Sequence, residues 1–133
     1  MAKPQEAHQK DVVLVVDDEQ IILRMATSAL ASAGFRAIVA ENGAAGLEAF
    51  IENADQICLV LTDVVMPYLS GLEMAQRILA ARPGTRILLM SGYSDRVIQV
   101  GTQFPLLRKP FLPERLVSEI QRLLEQAGGA QTP

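Results

Sequence analysis

Short apolar runs alternate along the chain with longer stretches in which apolar residues recur every three or four positions. The short runs predict β-strands, and the longer stretches predict α-helices. The predicted strands span residues 12–16, 36–39, 57–62, 86–90 and 106–108. The predicted helices span residues 20–33, 43–52, 71–81, 95–101 and 113–126. Because strands and helices alternate, we predict a parallel sheet with crossover helices, in a doubly wound α/β fold.

The first and last predicted helices are amphipathic. The apolar stripe of the first helix consists of Ile22, Ala26, Ala29 and Ala33. The apolar stripe of the last helix consists of Leu116, Ile120, Leu123 and Leu124. Gly34 is predicted to end the first helix by adopting a left-handed backbone conformation. Pro113 is predicted to lie near the start of the last helix. Both helices are expected to pack on the sheet through these stripes.

Length and composition indicate one domain with polar ends. The chain has 133 residues, of which 50% are hydrophobic, and this suits one domain with one core. We assign residues 11–126 to that domain. Residues 1–10 are expected to form a disordered head and residues 127–133 a flexible tail, because both segments are polar.

Charge and hydropathy argue against two classes of partner. The net charge is −3 and the 12 Lys and Arg residues are scattered, so direct binding to nucleic acid is not expected. A membrane span needs about 18 uninterrupted apolar residues, and no stretch of the chain has them. Residues 1–10 also lack the apolar segment of a signal peptide. We therefore expect a cytoplasmic protein without membrane contact, in which Cys58 is reduced and buried.

Charged and polar side chains follow four of the five predicted strands. They are, in chain order, Asp17, Asp18, Asp63, Ser91 and Lys109. The carboxyl ends of parallel strands share one edge of a sheet, where α/β folds bind ligands, so we expect these side chains to meet in one pocket. Two carboxylates 4 Å apart repel by about 4 kcal/mol at an effective dielectric constant of 20. Lys109 and a hard cation such as Mg²⁺ would balance them, and such a pocket suits a phosphoryl group.

Each of these residues also has a simpler interpretation. Asp18 or Glu19 could cap the first helix and favour its dipole. Asp63 could begin a turn, Ser91 could be an ordinary loop hydroxyl, and Lys109 could be a solvated charge. Their coincidence at one edge, in the residue types that phosphoryl chemistry needs, favours the functional interpretation.

Four spaced motifs together resemble the receiver domain of two-component response regulators. They are the acidic pair at 17–18, the run TDVVMP at 62–67 with Gly71, the run MSGY at 90–93 and the run KPF at 109–111. The resemblance covers residues 11–126, and the motifs are specific as a set. It implies a flavodoxin-like (βα)5 fold with five parallel strands in the order 2-1-3-4-5.

The resemblance implies a role for each acid of the pocket. Asp63 is the implied phosphoacceptor, whose carboxylate attacks the phosphohistidine of a partner kinase. Asp17 and Asp18 are the implied pair that holds Mg²⁺ or Mn²⁺, with Asp18 and Asp63 as direct ligands and Asp17 acting through water. The backbone carbonyl of Val65 is the implied main-chain ligand. Such a protein promotes its own phosphorylation and dephosphorylation but is not an enzyme acting on other substrates.

Further roles are implied for residues near the ends of the fourth and fifth strands. Ser91 matches the hydroxyl that moves to bond a phosphoryl oxygen. Lys109 matches the cation that pairs with the acceptor carboxylate at rest, and its peptide bond to Pro110 is implied to be cis. Tyr93 flanks the site. Leu106 stands where many receivers carry an aromatic switch residue, so we expect the switch to propagate differently here.

The implied phosphodonor is a sensor histidine kinase or a histidine phosphotransfer protein. The implied surface for a downstream partner is formed by the fourth helix, the fifth strand and the fifth helix, and a phosphorylation-dependent dimer is a further implied assembly. Three contexts stay open: a stand-alone receiver, a relay carrier, and the receiver of a hybrid kinase. The runs TDVVMP and MSGYSD resemble those in receivers attached to hybrid kinases, and this resemblance favours the third context.

Two other functions remain as alternatives. A Mg²⁺-dependent phosphohydrolase with an aspartyl nucleophile would be expected to carry a second Asp two residues after the nucleophile, where this chain has Val65. A protein-binding scaffold that is not phosphorylated would be expected to lack one of the acids or the lysine. This chain has all of them.

Overall fold

Strands and helices alternate in the computed structural model, which describes residues 11–92 and 104–130. The strands are β1 (Val12–Val16), β2 (Arg36–Ala40), β3 (Ile57–Asp63), β4 (Ile87–Ser91) and β5 (Leu106–Arg108). The helices are α1 (Gln20–Ser32), α2 (Gly43–Asn53), α3 (Gly71–Ala81) and α4 (Pro113–Ala130). The helix predicted at 95–101 lies outside the described residues, so α4 corresponds to the fifth predicted helix.

The five strands run parallel in one sheet, in the order β2-β1-β3-β4-β5. This order and the doubly wound architecture confirm the prediction. The register pairs Asp63 with Met90, and Ser91 with Arg108. The carboxyl ends of β3, β4 and β5 therefore lie side by side along one edge of the sheet.

Helices cover both faces of the sheet, and successive strand residues point into the two layers. On one face, Leu14 of β1 belongs to a buried cluster with Phe50 of α2 and Met74 of α3. On the other face, Val15 belongs to a second cluster with α1 and with Leu116 of α4. Every residue of β1 is buried, as expected for a strand that is covered on both sides.

The buried side of α1 differs from the predicted stripe. It consists of Leu23, Ala26, Ala29 and Leu30. The prediction is therefore right for Ala26 and Ala29, whereas Ile22 and Ala33 are only partly buried. An apolar stripe is at least about 100° wide, so neighbouring positions compete for the core. Docking of α1 against both the sheet and α4 decides between them.

Polar caps and glycines mark the helix ends. The side chain of Asn42 accepts a hydrogen bond from the N–H of Ala45 at 2.8 Å and caps α2. Ser70 caps α3 in the same way. Gly34 follows α1 with a φ of +94°, as predicted. Helix α4 continues to Ala130 rather than ending at residue 126, because glycines weaken a helix without preventing its backbone hydrogen bonds.

Two expectations based on composition can be compared with this fold. Cys58 is buried in β3, in agreement with its apolar neighbours. Within residues 11–92 and 104–130, no helix combines the length and the apolar character that crossing a membrane would require.

Candidate functional site

Three carboxylates meet at the carboxyl edge of the sheet. Asp17 and Asp18 follow β1 and Asp63 ends β3, and these two strands are neighbours that pair Val16 with Thr62. Each of the three carboxylates places an oxygen within 4.8 Å of the other two. Asp17 is fully buried and Asp63 is only 7% exposed, whereas Asp18 faces solvent. The fold thus joins acids that lie at two separate strand ends in the sequence.

The ammonium group of Lys109 lies inside this cluster. Its Nζ donates a hydrogen bond to Asp17 Oδ2 at 3.0 Å and lies 3.6 Å from Asp63 Oδ2. Glu19 Oε1, which the sequence does not single out as a partner of the lysine, is also 3.6 Å away. The resemblance implies a pairing with Asp63, but the shortest contact is with Asp17. The peptide bond between Lys109 and Pro110 is cis, as the resemblance implies.

Backbone hydrogen bonds hold Asp17 in place. Its Oδ1 accepts a hydrogen bond from the N–H of Glu19 at 2.9 Å, and its own N–H donates to the carbonyl of Ala40 at 3.1 Å. The N-cap residue of α1 is Glu19, but its side chain makes no capping hydrogen bond. A capping hydrogen bond from Glu19 therefore does not account for this acidic run.

Burial and like charge favour the protonated forms of the carboxyl groups. Burial, followed by the charge of Asp17, raises the pKa of Asp63 to about 6, against the opposite effects of Lys109 and a backbone hydrogen bond from Val65. Burial also raises the pKa of Asp17, against the hydrogen bonds from the Glu19 backbone and from Lys109. Burial lowers the pKa of Lys109, but the hydrogen bond to Asp17 and the nearby carboxylates outweigh it and raise that pKa overall. Lys109 is therefore charged at neutral pH.

The three acids form a donor set that fits a hard divalent cation. Mg²⁺ prefers oxygen ligands, usually binds one or two carboxylates, and keeps sites for water and phosphate oxygens. Asp17, Asp18 and Asp63 each offer one oxygen, and the exposed Asp18 opens the cluster to solvent. The main chain of Val65 lies beside Asp63 and lowers the pKa of its carboxyl group. These residues can hold the ion that the resemblance implies.

The remaining predicted residues lie near the ends of β4 and β5. Ser91 is fully buried, its hydroxyl donates to the carbonyl of Gly92 at 3.2 Å, and its own carbonyl accepts from the N–H of Lys109 at 2.7 Å. Leu106 is partly buried and packs against the cluster between the sheet and α2 and α3. Tyr93 lies outside the described residues. Ser91 and Lys109 are thus linked directly through their backbones.

Gly71 has a structural role that its place in the motif did not explain. A Cβ atom at this position would lie 1.8 Å from the carbonyl oxygen of Asp63. The N–H of Gly71 donates to the carbonyl of Val64 at 2.9 Å, which folds the intervening loop back onto the end of β3. The buried hydroxyl of Thr62 donates to the same Asp63 carbonyl at 3.0 Å. The sequence signal for this close approach is a glycine at the start of a predicted helix.

Comparison with known proteins finds matches over most of the chain. The family model described as "Response regulator receiver domain" matches residues 13–121. The response regulator receiver protein CpdR of Brucella abortus (strain 2308) is 31% identical over 116 residues, which are 84% of this chain and 95% of CpdR. The sensor kinase CckA of the same strain is 29% identical over 118 residues, which are 86% of this chain but 12% of CckA.

A solved structure agrees with the sequence matches. The crystal structure of a response regulator receiver domain protein from Clostridium thermocellum has a TM-score of 0.77 with this chain at 30% identity. The match covers 86% of this chain and 94% of that one. The chain therefore spans almost all of some similar proteins and a small part of others, such as CckA.

Proposed function

This chain belongs to the response regulator receiver domain family, and on this premise we propose that Asp63 accepts a phosphoryl group from a phosphohistidine. Receiver domains are the phosphoacceptors of two-component systems. The donor is a sensor histidine kinase or a histidine phosphotransfer protein. The observation that carries the proposal is the convergence of Asp17, Asp18 and Asp63 within 4.8 Å, beside the ammonium group of Lys109.

In the proposed reaction a carboxylate oxygen of Asp63 attacks the phosphorus of the phosphohistidine. The new oxygen–phosphorus bond forms while the phosphorus–nitrogen bond breaks, and the imidazole leaves with the electron pair and takes a proton from solution. The product is an aspartyl phosphate. Because the pKa of Asp63 is about 6, most of this carboxyl is ionised at neutral pH and can act as the nucleophile. Lys109 offsets the negative charge that the phosphoryl group adds.

Asp17, Asp18 and Asp63, with the backbone carbonyl of Val65, are the proposed ligands for Mg²⁺ or Mn²⁺. When bound, the ion supplies positive charge that neutralises and orients the phosphoryl oxygens. Lys109 already donates a hydrogen bond to Asp17. This bond agrees with the assignment that the resemblance implies, in which Asp18 and Asp63 bind the ion directly and Asp17 acts through water.

The proposed response to phosphorylation begins at Ser91. Its hydroxyl leaves the carbonyl of Gly92 and donates to a phosphoryl oxygen, while Lys109 turns toward the same group. Leu106 has no ring to reorient, so the change passes through its packing beside α2 and α3. The downstream partner, or a second phosphorylated copy, would bind the face formed by β5, α4 and the helix predicted at 95–101.

Turnover of external phosphate esters is not part of this proposal. A hydrolase with an aspartyl nucleophile needs a general acid for the leaving group, and the side chain two residues after Asp63 is the apolar Val65. The phosphoryl group is instead retained for signalling until it is lost to a partner or to water.

The proposed function is tested by measuring the intact mass of the protein after incubation with acetyl phosphate. The native chain is expected to gain the mass of one phosphoryl group in the presence of Mg²⁺ but not of EDTA. The isosteric variant Asp63→Asn is expected to gain none, because an amide is not a nucleophile for phosphorus. Equal gain in the native chain and the variant would show that another residue is the acceptor.

A further inference from the structure

Tyr68 combines an unfavourable backbone conformation with a fully exposed side chain. Its φ is +69°, which bulky residues avoid, and it is the only non-glycine residue with positive φ in the described part of the chain. In a turn where proline precedes a residue with positive φ, that residue is usually glycine or asparagine. Here Pro67 precedes Tyr68 instead. The residue is 100% exposed, so packing within the chain does not offset this conformation.

The loop that carries Tyr68 is anchored on both sides. The hydrogen bond from the N–H of Gly71 to the carbonyl of Val64 closes the loop. Met66 is buried. Leu69 lies against the start of α2, because its carbonyl oxygen would be only 2.5 Å from a Cβ added at Gly43. Because these neighbours are fixed, the tyrosine is held outward instead of folding onto the protein.

Tyr68 lies close enough to Asp63 to fall within a protein interface of standard size that is centred on Asp63. Gly71 is in backbone contact with Asp63, and three residues of chain can separate the Cα atoms of Tyr68 and Gly71 by at most about 11 Å. A protein interface of standard size covers about 800 Å² on each partner, which corresponds to a disc of about 16 Å radius. A partner centred on the acceptor therefore covers the tyrosine as well.

Other exposed apolar side chains follow the strands that end at this edge. Ile21 in the first turn of α1 is 74% exposed, Val65 after β3 is 53% exposed, and Leu112 before α4 is 69% exposed. These side chains follow β1, β3 and β5, which also carry the acids and the lysine of the site. Apolar groups around a charged centre suit a protein surface that excludes water during phosphoryl transfer, and tyrosine is enriched among the residues that dominate such interfaces.

We propose that Tyr68 is a contact residue for the protein that carries the phosphohistidine, and that this contact offsets its unfavourable conformation. The inference rests on the proposed function of Asp63 and adds a determinant of partner specificity to it. Tyr68 binds the surface of the donor protein and takes no part in the bonds that form and break. Removing the Tyr68 side chain is therefore expected to raise the KM for protein donors. Small donors, which have no protein surface to bind, provide the reference.

The test compares phosphotransfer to the native chain, Tyr68→Asn and Tyr68→Phe. The protein donors are the purified, autophosphorylated histidine kinases and phosphotransfer proteins of the source organism. The small donor is phosphoimidazole, which has a comparable leaving group without a protein surface. The measured ratio is the efficiency of phosphotransfer from the fastest protein donor divided by the efficiency of phosphotransfer from phosphoimidazole. For Tyr68→Asn this ratio is expected to fall at least tenfold, mainly through KM. Tyr68→Phe keeps the ring and is expected to restore most of this ratio.

Ile51→Ala is the matched control, because Ile51 is an exposed apolar residue near the end of α2, at the opposite edge of the sheet. Its ratio is expected to equal the native one, and a comparable fall in this control would overturn the inference. A ratio for Tyr68→Asn within twofold of native would also overturn it, and so would loading of Asp63 by phosphoimidazole but by no protein donor. In these cases Asp63 remains the acceptor. Failure of every donor to load native Asp63 would overturn the proposed function and this inference together.

Discussion

The carboxyl group of Asp63 is buried, and its proposed role as phosphoacceptor requires it to be ionised. Burial and the nearby charge of Asp17 favour its neutral form and raise its pKa to about 6. Phosphoryl transfer requires the ionised form of this carboxyl group. Keeping the group ionised in the folded state lowers the free energy of unfolding. Lys109 and a bound divalent cation reduce this cost, so removing the cation should expose it.

The first prediction concerns the stability of Asp63→Asn in EDTA. The folded pKa of about 6 lies above the ordinary pKa of 3.8 for an aspartate, so this group stabilises the fold below about pH 4 and the contribution is lost as pH rises through 6. The amide cannot ionise. At pH 7.5 the variant is therefore expected to be more stable than the native chain, by at most about 3 kcal/mol, as measured by urea unfolding.

The difference between the variant and the native chain is expected to shrink as the pH is lowered toward 4. Asp55→Asn serves as the control, because Asp55 is an exposed acid paired with Arg82 away from the site. This control should show no comparable gain at pH 7.5. A native chain as stable as Asp63→Asn at both pH values would mean that the carboxyl is not destabilised by its surroundings.

At the scale of elements, the loop between β3 and α3 depends on one glycine. The loop folds back onto the end of β3 and brings Gly71 against the carbonyl of Asp63, where there is no room for a side chain. The hydroxyl of Thr62 donates to the same carbonyl and would itself lie 2.9 Å from a Cβ added at Gly71. The position of the Asp63 carboxylate is therefore coupled to the start of α3.

The second prediction is that Gly71→Ala destabilises the protein by about 3 kcal/mol or more. A methyl group 1.8 Å from a backbone oxygen forces the backbone of β3 or α3 to move, since no flexible side chain can give way. The same shift should slow the loading of Asp63 by acetyl phosphate. Urea unfolding and intact mass measure the two effects.

Gly92→Ala is the matched control for this variant, because a Cβ at Gly92 would meet none of the described residues within 4 Å. It is expected to change the free energy of unfolding by less than about 1 kcal/mol. Equal stability of Gly71→Ala and the native chain would mean that the loop does not approach β3 so closely.

Helix α1 shows what periodicity can and cannot predict. The spacing of its apolar residues predicts a helix with one buried side, and the helix is there. The spacing also admits Ile22 and Ala33 as core residues, yet Leu23 and Leu30 are the ones that are buried. The rotation of a helix about its axis is decided by the surfaces on which it packs.

At the scale of the whole molecule, binding of a cation to the acidic edge is linked to global stability. A ligand that binds only the folded state stabilises it by RT ln(1 + [L]/Kd). The carboxylates converge only after β1 and β3 have paired, so the unfolded chain does not hold this site.

The third prediction is that Mg²⁺ raises the free energy of unfolding of the native chain at neutral pH. At a concentration ten times the Kd, the gain is expected to be about 1.4 kcal/mol. Asp18→Ala removes one of the proposed direct ligands and is expected to lose most of this gain. Urea unfolding with Mg²⁺ and with EDTA measures the difference between the two chains.

Asp55→Ala removes a carboxylate outside the cluster and should keep the native response to Mg²⁺. If Asp18→Ala also kept it, the ion would bind elsewhere. The same comparison with Mn²⁺ tests whether both ions use the same acids.

The sequence by itself determined the kinds of elements, their order and the chemistry available at the strand ends. Each predicted strand lies within one residue of an observed one, because apolar runs flanked by polar residues are local signals. The motifs around Asp17, Asp63 and Lys109 also identified the family, which the matched residues 13–121 support.

Only the tertiary structure decided how these groups meet. The sequence does not contain the distance of 3.0 Å from Lys109 to Asp17, the nearby carboxylate of Glu19, or the contact of Gly71 with Asp63. Nor does it show that Tyr68 takes a left-handed conformation with its side chain in solvent. These features depend on residues far apart in the chain, or on how a loop closes. Local patterns therefore specify the elements, whereas the packing of the sheet and its helices sets the geometry of the site.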